Sequence, residues 1–415
     1  QSRTILSVIS LVSYVLTKVA VTVYAGGLVF QQVFGIKELW GIDFFWIAAI
    51  GLVVLTALYT IFGGMKSVLY TSVLQTPILL LGSLIILVLG FKELGGWDEM
   101  MRVCGAVTVN DYGDTMTNLI RSNDDANFPW LGALIGSAII GFWYWCTDQF
   151  IVQRVLSGKN EMEARRGTIF GAYLKLLPVF LFLIPGMIAF ALHQKYIGAG
   201  GEGFLPMLAN GTANADAAFP TLVAKLLPAG VKGLVVCGIL AALMSSLASL
   251  FNSSAMLFTI DFYKRFKPET PEKKLVGIGQ IATIVIVVLG ILWIPIMRSV
   301  GDVLYTYLQD VQSVLAPGIA AAFLLGICWK RTSAQGGMWG LISGMVIGLT
   351  RLGAKVYYSN AGEVADSTFK YLFYDMNWLF FCGWMFLFCI IVVIVVSPAT
   401  EAPTAEKIQG LVFGT

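Results

Sequence analysis

The chain has 415 residues, of which 57% are hydrophobic and 12% are charged, and its formal net charge is +3. Ordinary soluble domains contain roughly 25% charged residues, so this composition excludes a soluble globular protein and indicates one that resides in a membrane. The small and scattered positive charge also excludes a basic surface for nucleic acid.

Apolar runs separated by short polar breaks predict ten helices, many of them long enough to cross roughly 30 Å of hydrocarbon. The predicted helices are 5–34, 43–62, 66–91, 130–154, 167–192, 232–263, 275–299, 302–327, 335–356 and 371–397. Two polar stretches, 92–129 and 193–231, are expected to be loops with room for short interfacial helices. Because the sequence begins with Gln1 and ends in a polar tail, 398–415, we expect it to be truncated at both ends.

Basic residues indicate how the predicted helices are oriented. They cluster at 154–166, 264–274 and 330–331. Short loops rich in Lys and Arg stay in the cytoplasm, and all three clusters agree if the first helix starts there. The acidic loop 92–129 is then extracellular.

Three places carry polar side chains where a membrane helix is predicted: Lys18, Lys175, and the pair Gln309 and Asp310. A charge near the bilayer centre is costly, so each is a functional candidate. The alternatives are a paired structural charge or a snorkelling ammonium for the lysines, and an interhelical hydrogen bond for Gln309.

The fourth predicted helix carries an aromatic cluster around Tyr144 and Trp145, followed by a polar Thr-Asp-Gln run. Aromatic rings can stack on the apolar face of a pyranose while nearby polar groups satisfy its hydroxyls, which favours an uncharged polyol as ligand. The alternative is an aromatic anchor at the membrane interface.

The sixth predicted helix has a small polar stripe at helical spacing that includes Ala242, Ser245 and Ser246. Close helix packing through small residues explains such a stripe. Hydroxyl oxygens are also suitable ligands for a dehydrated alkali cation when backbone carbonyls complete the shell. Spacing alone leaves both explanations open.

Six segments in order resemble the sodium/solute symporter family, in particular a bacterial member of its sodium/glucose (galactose) cotransporter branch. They are YTIFGGMKSVLYT, WYWCTDQFIVQRVLSGKN, YLKLLP, FPTLVAKLLPAGVKGL, LMSSLASLFNSSAMLFTIDFYK and APGIAAAFLLGICWKR. The resemblance implies an all-α polytopic membrane protein with LeuT-like inverted five-helix repeats, truncated at the N-terminus. It places the last three helices of the first repeat in 1–91, the second repeat in 130–327 and two peripheral helices in 335–397.

The resemblance also implies roles for individual residues. Tyr144 is similar to the tyrosine of the inner gate, and Trp145 to the indole beside it. The substrate-binding residues implied are Tyr14, Tyr144, Trp145, Lys175 and Gln309. The sodium-binding residues implied are Ala242, through its backbone, Ser245 and Ser246. Three residues depart from the family pattern. Ser72 stands where the family usually has an aspartate on the inner sodium pathway. Gly141 replaces a polar residue that borders the sugar, and Gln312 replaces a threonine found in animal members.

The function expected from these observations is sodium-coupled symport of a neutral sugar of the glucose or galactose class by alternating access. Sodium is the co-transported ion, and no organic cofactor or nucleic-acid partner is expected. The alternatives are a sodium-coupled symporter of myo-inositol, another polyol or a different solute, and a sensor or channel on the same scaffold. An enzyme is not expected, since the lone histidine, His193, belongs to no catalytic constellation.

The loops and the cysteines indicate where the protein resides. Compact loops without cysteine pairs favour the bacterial inner membrane, crossed several times. The six cysteines form no CxxC motif, as expected of packing residues rather than of a disulfide framework or a metal site.

Overall fold

The computed structural model describes residues 2–208, 211–300, 303–361 and 365–414, and the backbone alone at residues 59, 61–68 and 297–300. Helices dominate the described part of the chain. Its one named sheet is a hairpin in which β1 (Glu38–Leu39) pairs antiparallel with β2 (Ile42–Asp43). Both turn residues, Trp40 and Gly41, have positive φ angles of 55° and 74°, as a two-residue type I′ turn requires.

The first predicted helix is confirmed, with a local change of winding. Helix α1 (Ser2–Ser13) continues through a π-helical segment (Tyr14–Val19) into α2 (Ala20–Phe34). The predicted separation of 43–62 from 66–91 is wrong, because α3 (Phe44–Leu94) is one helix of 51 residues. A glycine pair lies at 63–64, but glycine weakens a helix by only about 1 kcal/mol and does not forbid it.

The fourth and fifth predicted helices are both interrupted. Helix α5 (Trp130–Phe142) passes into a π-helical segment (Trp143–Thr147), and α6 (Gln149–Leu156) follows a break at Asp148. Helix α7 (Glu161–Leu174) begins earlier than predicted because the side chain of Asn160 accepts a hydrogen bond from the amide of Glu163 at 2.9 Å. A turn at residues 175–176 separates it from a π-helical segment (Val179–Leu183) and α8 (Ile184–Gly198), and Pro178 cannot donate a helical hydrogen bond there.

The remaining helices follow the prediction closely except near residue 371. Their bounds are α9 (Ala218–Leu226), α10 (Ala229–Met256), α11 (Lys264–Phe266), α12 (Glu272–Val300), α13 (Leu304–Cys328), α14 (Ala334–Asn360), α15 (Thr368–Lys370), α16 (Trp378–Val396) and α17 (Ala405–Ile408). Shorter segments are the 3₁₀ turn Ala215–Ala217 and the π-helical segments Leu257–Tyr263 and Tyr371–Asp375. The predicted helix 371–397 is interrupted at residues 376–377. Asn377 caps the start of α16, its side chain accepting from the amide of Leu379 at 2.8 Å.

Within the described residues, eight helices are long and apolar enough to cross a membrane, and Phe44–Leu58 is a shorter apolar stretch. The predicted loops contain short helices, namely α4 (Trp97–Gly105) in 92–129 and α9 in 193–231. The chain is therefore a multi-pass membrane protein, with fewer long apolar spans in its described part than the ten helices predicted.

The chain forms two compact units. Unit 1 comprises Gln1–Ala20, Arg121–Arg154 and Ser253–Thr415, and unit 2 comprises Val21–Ile120 and Val155–Asn252. Unit 2 has a core from α3, α4, α8, α9 and α10, which includes the fully buried Ile86, Met100, Ile188 and Leu222.

Helix α13 is the centre of unit 1. Every residue from Asp310 to Ala321 is buried, against α1, α5, α14 and α16. The contact of α13 with α14 is a close backbone approach: a Cβ on Gly344 would lie 2.9 Å from the Cα of Gly318 and 3.2 Å from the Sγ of Cys389. Small residues permit this approach, which is how membrane helices gain packing energy where lipid supplies no hydrophobic drive.

We expect Gly344→Ala to destabilise unit 1 by about 1–3 kcal/mol, because the added methyl group meets backbone that cannot move aside cheaply. The matched control is Gly353→Ala on the same helix, where a Cβ has no neighbour within 4 Å in the part of the chain that the structure describes. The higher helix propensity of alanine should stabilise the helix slightly there. Thermal unfolding of the two variants in detergent checks this. Equal unfolding midpoints would contradict the tight α13–α14 contact.

Candidate functional site

The aromatic cluster of the fourth predicted helix lies on the π-helical segment of unit 1, just before the break at Asp148. The ring of Tyr144 packs edge-on against Trp145, with centroids 5.1 Å apart and planes at 88°. The side chain of Trp145 is 50% exposed, and that of Tyr144 is more buried. Helix α13, which carries Gln309, packs against this segment. An aromatic face is therefore available next to a helix that carries an amide.

Gln309 is half-buried, and its amide has no hydrogen-bond partner in the described part of the chain. Its neighbour Asp310 is buried and paired twice. The carboxylate of Asp310 lies 3.5 Å from the guanidinium of Arg351 and accepts a hydrogen bond from the ammonium of Lys355. The amide thus stands beside a cluster of fixed charges while its own donors and acceptors remain available.

Tyr14 lies elsewhere in unit 1 and is fully buried. Its hydroxyl donates to Oδ1 of Asp148 at 2.9 Å and accepts from the amide of Phe150 at 3.1 Å. Lys18, one turn further on, forms an ion pair with Oδ2 of Asp148. The structure therefore supports a paired charge at Lys18 over a snorkelling ammonium. The hydroxyl of Tyr14 is already bonded to protein groups.

The serine stripe lies on α10 in unit 2, in a stretch of uninterrupted helix. The hydroxyls of Ser245 and Ser72 are 2.7 Å apart, so the residue that replaces the usual aspartate contacts the stripe directly. Ser246 is half-buried, and its hydroxyl has no partner in the parts of the chain that the structure describes. Two neighbouring hydroxyls with lone pairs to spare can contribute oxygen ligands to an alkali cation.

The sequence predicted Lys175 inside the regular helix 167–192, but the structure places it at a helix end. It follows the last residue of α7, and its amide donates to the carbonyls of Gly171 at 3.0 Å and Ala172 at 3.2 Å. Its side chain is exposed. A lysine at a helix break can turn its ammonium toward a polar space without disturbing a helical ladder.

The predicted residues are divided between the two compact units. Unit 1 contains Tyr14, Tyr144, Trp145 and Gln309, and unit 2 contains Lys175, Ala242, Ser245 and Ser246. Three ion-pair partners were not predicted from the sequence. Asp148 was noted only as a neighbour of the aromatics, although a buried Lys18 required a carboxylate. Lys355 and Arg351 were overlooked, although their spacing of four residues on one helix places both on the same face.

The other departures and the lone histidine have simple surroundings. A Cβ on Gly141 would meet none of the described atoms within 4 Å, and Gln312 is buried. Nδ1 of His193 accepts a hydrogen bond from the amide of Leu205 at 3.0 Å, which is a structural role. The described residues contain no group of three His, Cys, Asp or Glu side chains that could hold a metal ion.

The sequence matches the family described as "Sodium:solute symporter family" over residues 1–344. It is 35% identical over 422 residues to a human protein named "Sodium/myo-inositol cotransporter 2", covering 99% of this chain and 62% of that protein. It is 36% identical to a sodium/mannose cotransporter of Bos taurus, covering 70% of it, and 36% identical to "Sodium/glucose cotransporter 1" of Ovis aries, covering 62%. The chain thus spans about three-fifths of the length of the myo-inositol and glucose relatives.

A solved structure described as the substrate-bound outward-open state of a Na⁺-coupled sialic acid symporter has the same fold, with a TM-score of 0.67 at 20% sequence identity. The match covers 96% of this chain and 76% of that one. The predicted fold class, an all-α membrane protein of the inverted-repeat symporter type, is confirmed.

We expect Asp310→Asn to destabilise unit 1 by about 3–5 kcal/mol, since it leaves the cations Arg351 and Lys355 without their shared carboxylate. Lys355→Met leaves Arg351 paired with Asp310 and should destabilise unit 1 less. Combining Lys355→Met with Asp310→Asn should recover part of the stability lost in Asp310→Asn alone. A double-mutant cycle of unfolding midpoints in detergent measures this coupling. Strictly additive effects would show that the groups are not coupled.

Proposed function

Because the chain belongs to the sodium:solute symporter family, we propose that the protein couples the entry of sodium to the uptake of a neutral sugar of the glucose or galactose class. The observation that carries this proposal is sequence similarity over nearly the whole chain to cotransporters whose names join sodium with glucose, mannose or myo-inositol. All three solutes are uncharged and polyhydroxylated. Sodium is the transported ion, and the proposed mechanism requires no organic cofactor.

Myo-inositol is the second candidate solute. The human cotransporter named for it is about as similar to this chain as the mannose and glucose cotransporters are, at 35% identity against 36%. A cyclic polyol presents the same alternation of apolar faces and hydroxyl edges as a pyranose, so the same aromatic and amide groups can bind either one.

For the ion, we propose that unit 2 supplies the backbone carbonyl of Ala242 and the hydroxyls of Ser245 and Ser246. Hard oxygen ligands suit an alkali cation, and the hydroxyl of Ser246 is half-buried. The hydrogen bond between Ser72 and Ser245 leaves lone pairs on both oxygens, so it is compatible with this role.

For the solute, we propose direct contacts from Tyr144, Trp145 and Gln309 of unit 1. The amide of Gln309 can donate to one hydroxyl and accept from another, while the rings cover an apolar face. Lys175 of unit 2 is proposed as a further hydrogen-bond donor to the solute. Tyr14 is proposed to act on the solute only indirectly in this conformation, because its hydroxyl is buried and already bonded to Asp148.

Transport then follows from linkage between the two ligands. Sodium stabilises the outward-open form, the solute binds more tightly to that form, and a change of conformation exposes both to the cytoplasm. We propose the bacterial inner membrane as the location, on the strength of compact loops without cysteine pairs. The six cysteines are all free thiols.

The proposal is tested with the complete protein in liposomes, using an imposed sodium gradient and labelled glucose, galactose, mannose and myo-inositol. We expect saturable uptake of at least one solute, lost when choline replaces sodium. Cross-competition then ranks the sugars against myo-inositol. Uptake of the same size without sodium would overturn the coupling.

We expect Ser246→Ala to shift the sodium dependence of uptake to higher concentration, with a largely preserved maximum, because one ion ligand is lost while helix packing is kept. Apparent solute affinity should fall at limiting sodium and recover at high sodium. Ser254→Ala is the matched control on the same helix: that hydroxyl is buried and has no hydrogen-bond partner among the described residues, so its removal should change neither the sodium dependence nor the apparent solute affinity. If Ser246→Ala has the same sodium dependence as the wild type, the serine stripe serves helix packing and does not bind sodium.

Lys175→Ala should weaken solute binding by about one to two powers of ten, the equivalent of a hydrogen bond from a charged donor worth about 1.5–3 kcal/mol. Folding should be preserved, because the side chain is exposed. The control is Lys159→Ala, an exposed lysine before α7. Solute titrations of tryptophan fluorescence at saturating sodium measure the change, and unchanged affinity would remove Lys175 from the solute site.

A further inference from the structure

Unit 1 contains a buried ionic cluster that the proposed contacts do not use. It consists of Tyr14, Lys18 and Asp148, whose exposed fractions are 0%, 9% and 4%. One carboxylate oxygen of Asp148 accepts from the hydroxyl of Tyr14 at 2.9 Å and from the amide of Phe150 at 3.1 Å. The other forms the ion pair with Lys18. The single carboxylate is thus bonded to three groups from two stretches of chain.

The ammonium of Lys18 lies in an aromatic cage. It is 4.2 Å from the ring centroid of Phe150, 4.9 Å from that of Tyr14, 5.3 Å from Tyr144 and 5.8 Å from Trp143. A desolvated cation is attracted to such ring faces, and the attraction is strongest where water is excluded. The ring of Tyr144 therefore lies near a cation that is paired with Asp148.

Asp148 of this cluster also lies where the fourth predicted helix breaks. Asp148 has extended backbone angles, φ −76° and ψ 118°, at the end of the π-helical segment. Its carboxylate caps the amide of Phe150 at the start of α6, and its backbone carbonyl accepts from the amides of Ile151 and Val152. A carboxylate at this position satisfies an amide that a new helix leaves without a partner. Tyr144 and Trp145 lie within the turn that this break ends.

We propose that Tyr14, Lys18 and Asp148 are positioning residues: together they fix the helix break and the ring of Tyr144, and so set solute affinity without touching the solute. The inference rests on the proposed function, in which Tyr144 contacts the solute. It gives Lys18 a task beyond neutralising a buried carboxylate, and it places Tyr14 behind the binding surface.

The decisive variant is the double substitution Lys18→Met/Asp148→Asn. It removes both charges together, so no buried ion is left unpaired, and asparagine retains the ability to cap α6. What it removes is the ion pair and the attraction of the ammonium for the ring of Tyr144. Tyr14→Phe, which removes one hydroxyl and leaves the ion pair intact, should act in the same direction with a smaller effect.

The chain supplies its own reporter, because Cys146 is an exposed thiol within the π-helical segment. With the other exposed cysteines, Cys237 and Cys328, replaced by serine, a water-soluble maleimide reports on the segment alone. We expect the double variant to change the labelling rate of Cys146 at least fivefold in sodium-free buffer. The KM for solute should rise about tenfold, while the sodium concentration that half-saturates binding without solute stays within twofold of wild type.

The control is Arg3→Gln/Asp261→Asn, which removes another ion pair of unit 1, with an N–O distance of 2.5 Å. It should leave both the labelling rate and the KM unchanged. If the Lys18/Asp148 variant behaves like this control, the cluster is a structural ion pair only and the inference is overturned.

The outcome is separable from that of the proposed function. If the wild-type protein shows no sodium-dependent uptake, the proposed function fails, yet the labelling rates still decide whether the cluster holds the segment. If the wild type transports and labelling is unchanged in the double variant, only the inference fails.

Discussion

The constraint on which this structure depends is that a polar group within hydrocarbon has no water to solvate it, and must find its partner inside the protein. Arg351 illustrates the rule. Its guanidinium is fully buried, donates to the backbone carbonyl of Met376 at 2.7 Å, lies 4.1 Å from the ring centroid of Phe381 and approaches Asp310. One side chain thereby binds α13, α14 and the start of α16 into a single packed group.

The same constraint explains why three of the candidate solute-binding residues, Tyr144, Trp145 and Lys175, stand at irregular places, whereas Gln309 and the serine stripe lie in regular helices. A regular helix satisfies its own backbone, so it offers a ligand mainly its side chains and the spare lone pairs of its carbonyls. Tyr144 and Trp145 lie in a π-helical segment that ends at a capped break, and Lys175 lies in the turn before Pro178. Each interruption is stabilised by side-chain or backbone hydrogen bonds, which lets the chain leave the helical path at a defined residue.

Sequence patterns predicted most helices, because apolar length reports directly on the bilayer, and they identified Lys18 and Asp310 as charges that needed an explanation. They did not identify the partners, since the pairing of Lys18 with Asp148 joins residues 130 positions apart. They also missed the continuity of α3, where a short break in the apolar run predicted two helices instead of one. The hydroxyl of Tyr14 could be assigned to Asp148 only once the chain was folded.

The central claim is that sodium and solute move together. The most direct test is to load liposomes containing the complete protein with buffer free of sodium and solute, add radioactive sodium outside, and follow its entry with and without the solute. Symport predicts that the solute accelerates sodium entry, and that the extra sodium bears a fixed ratio to the solute taken up. Sodium entry that is unaffected by solute and does not saturate would contradict the account and indicate a channel.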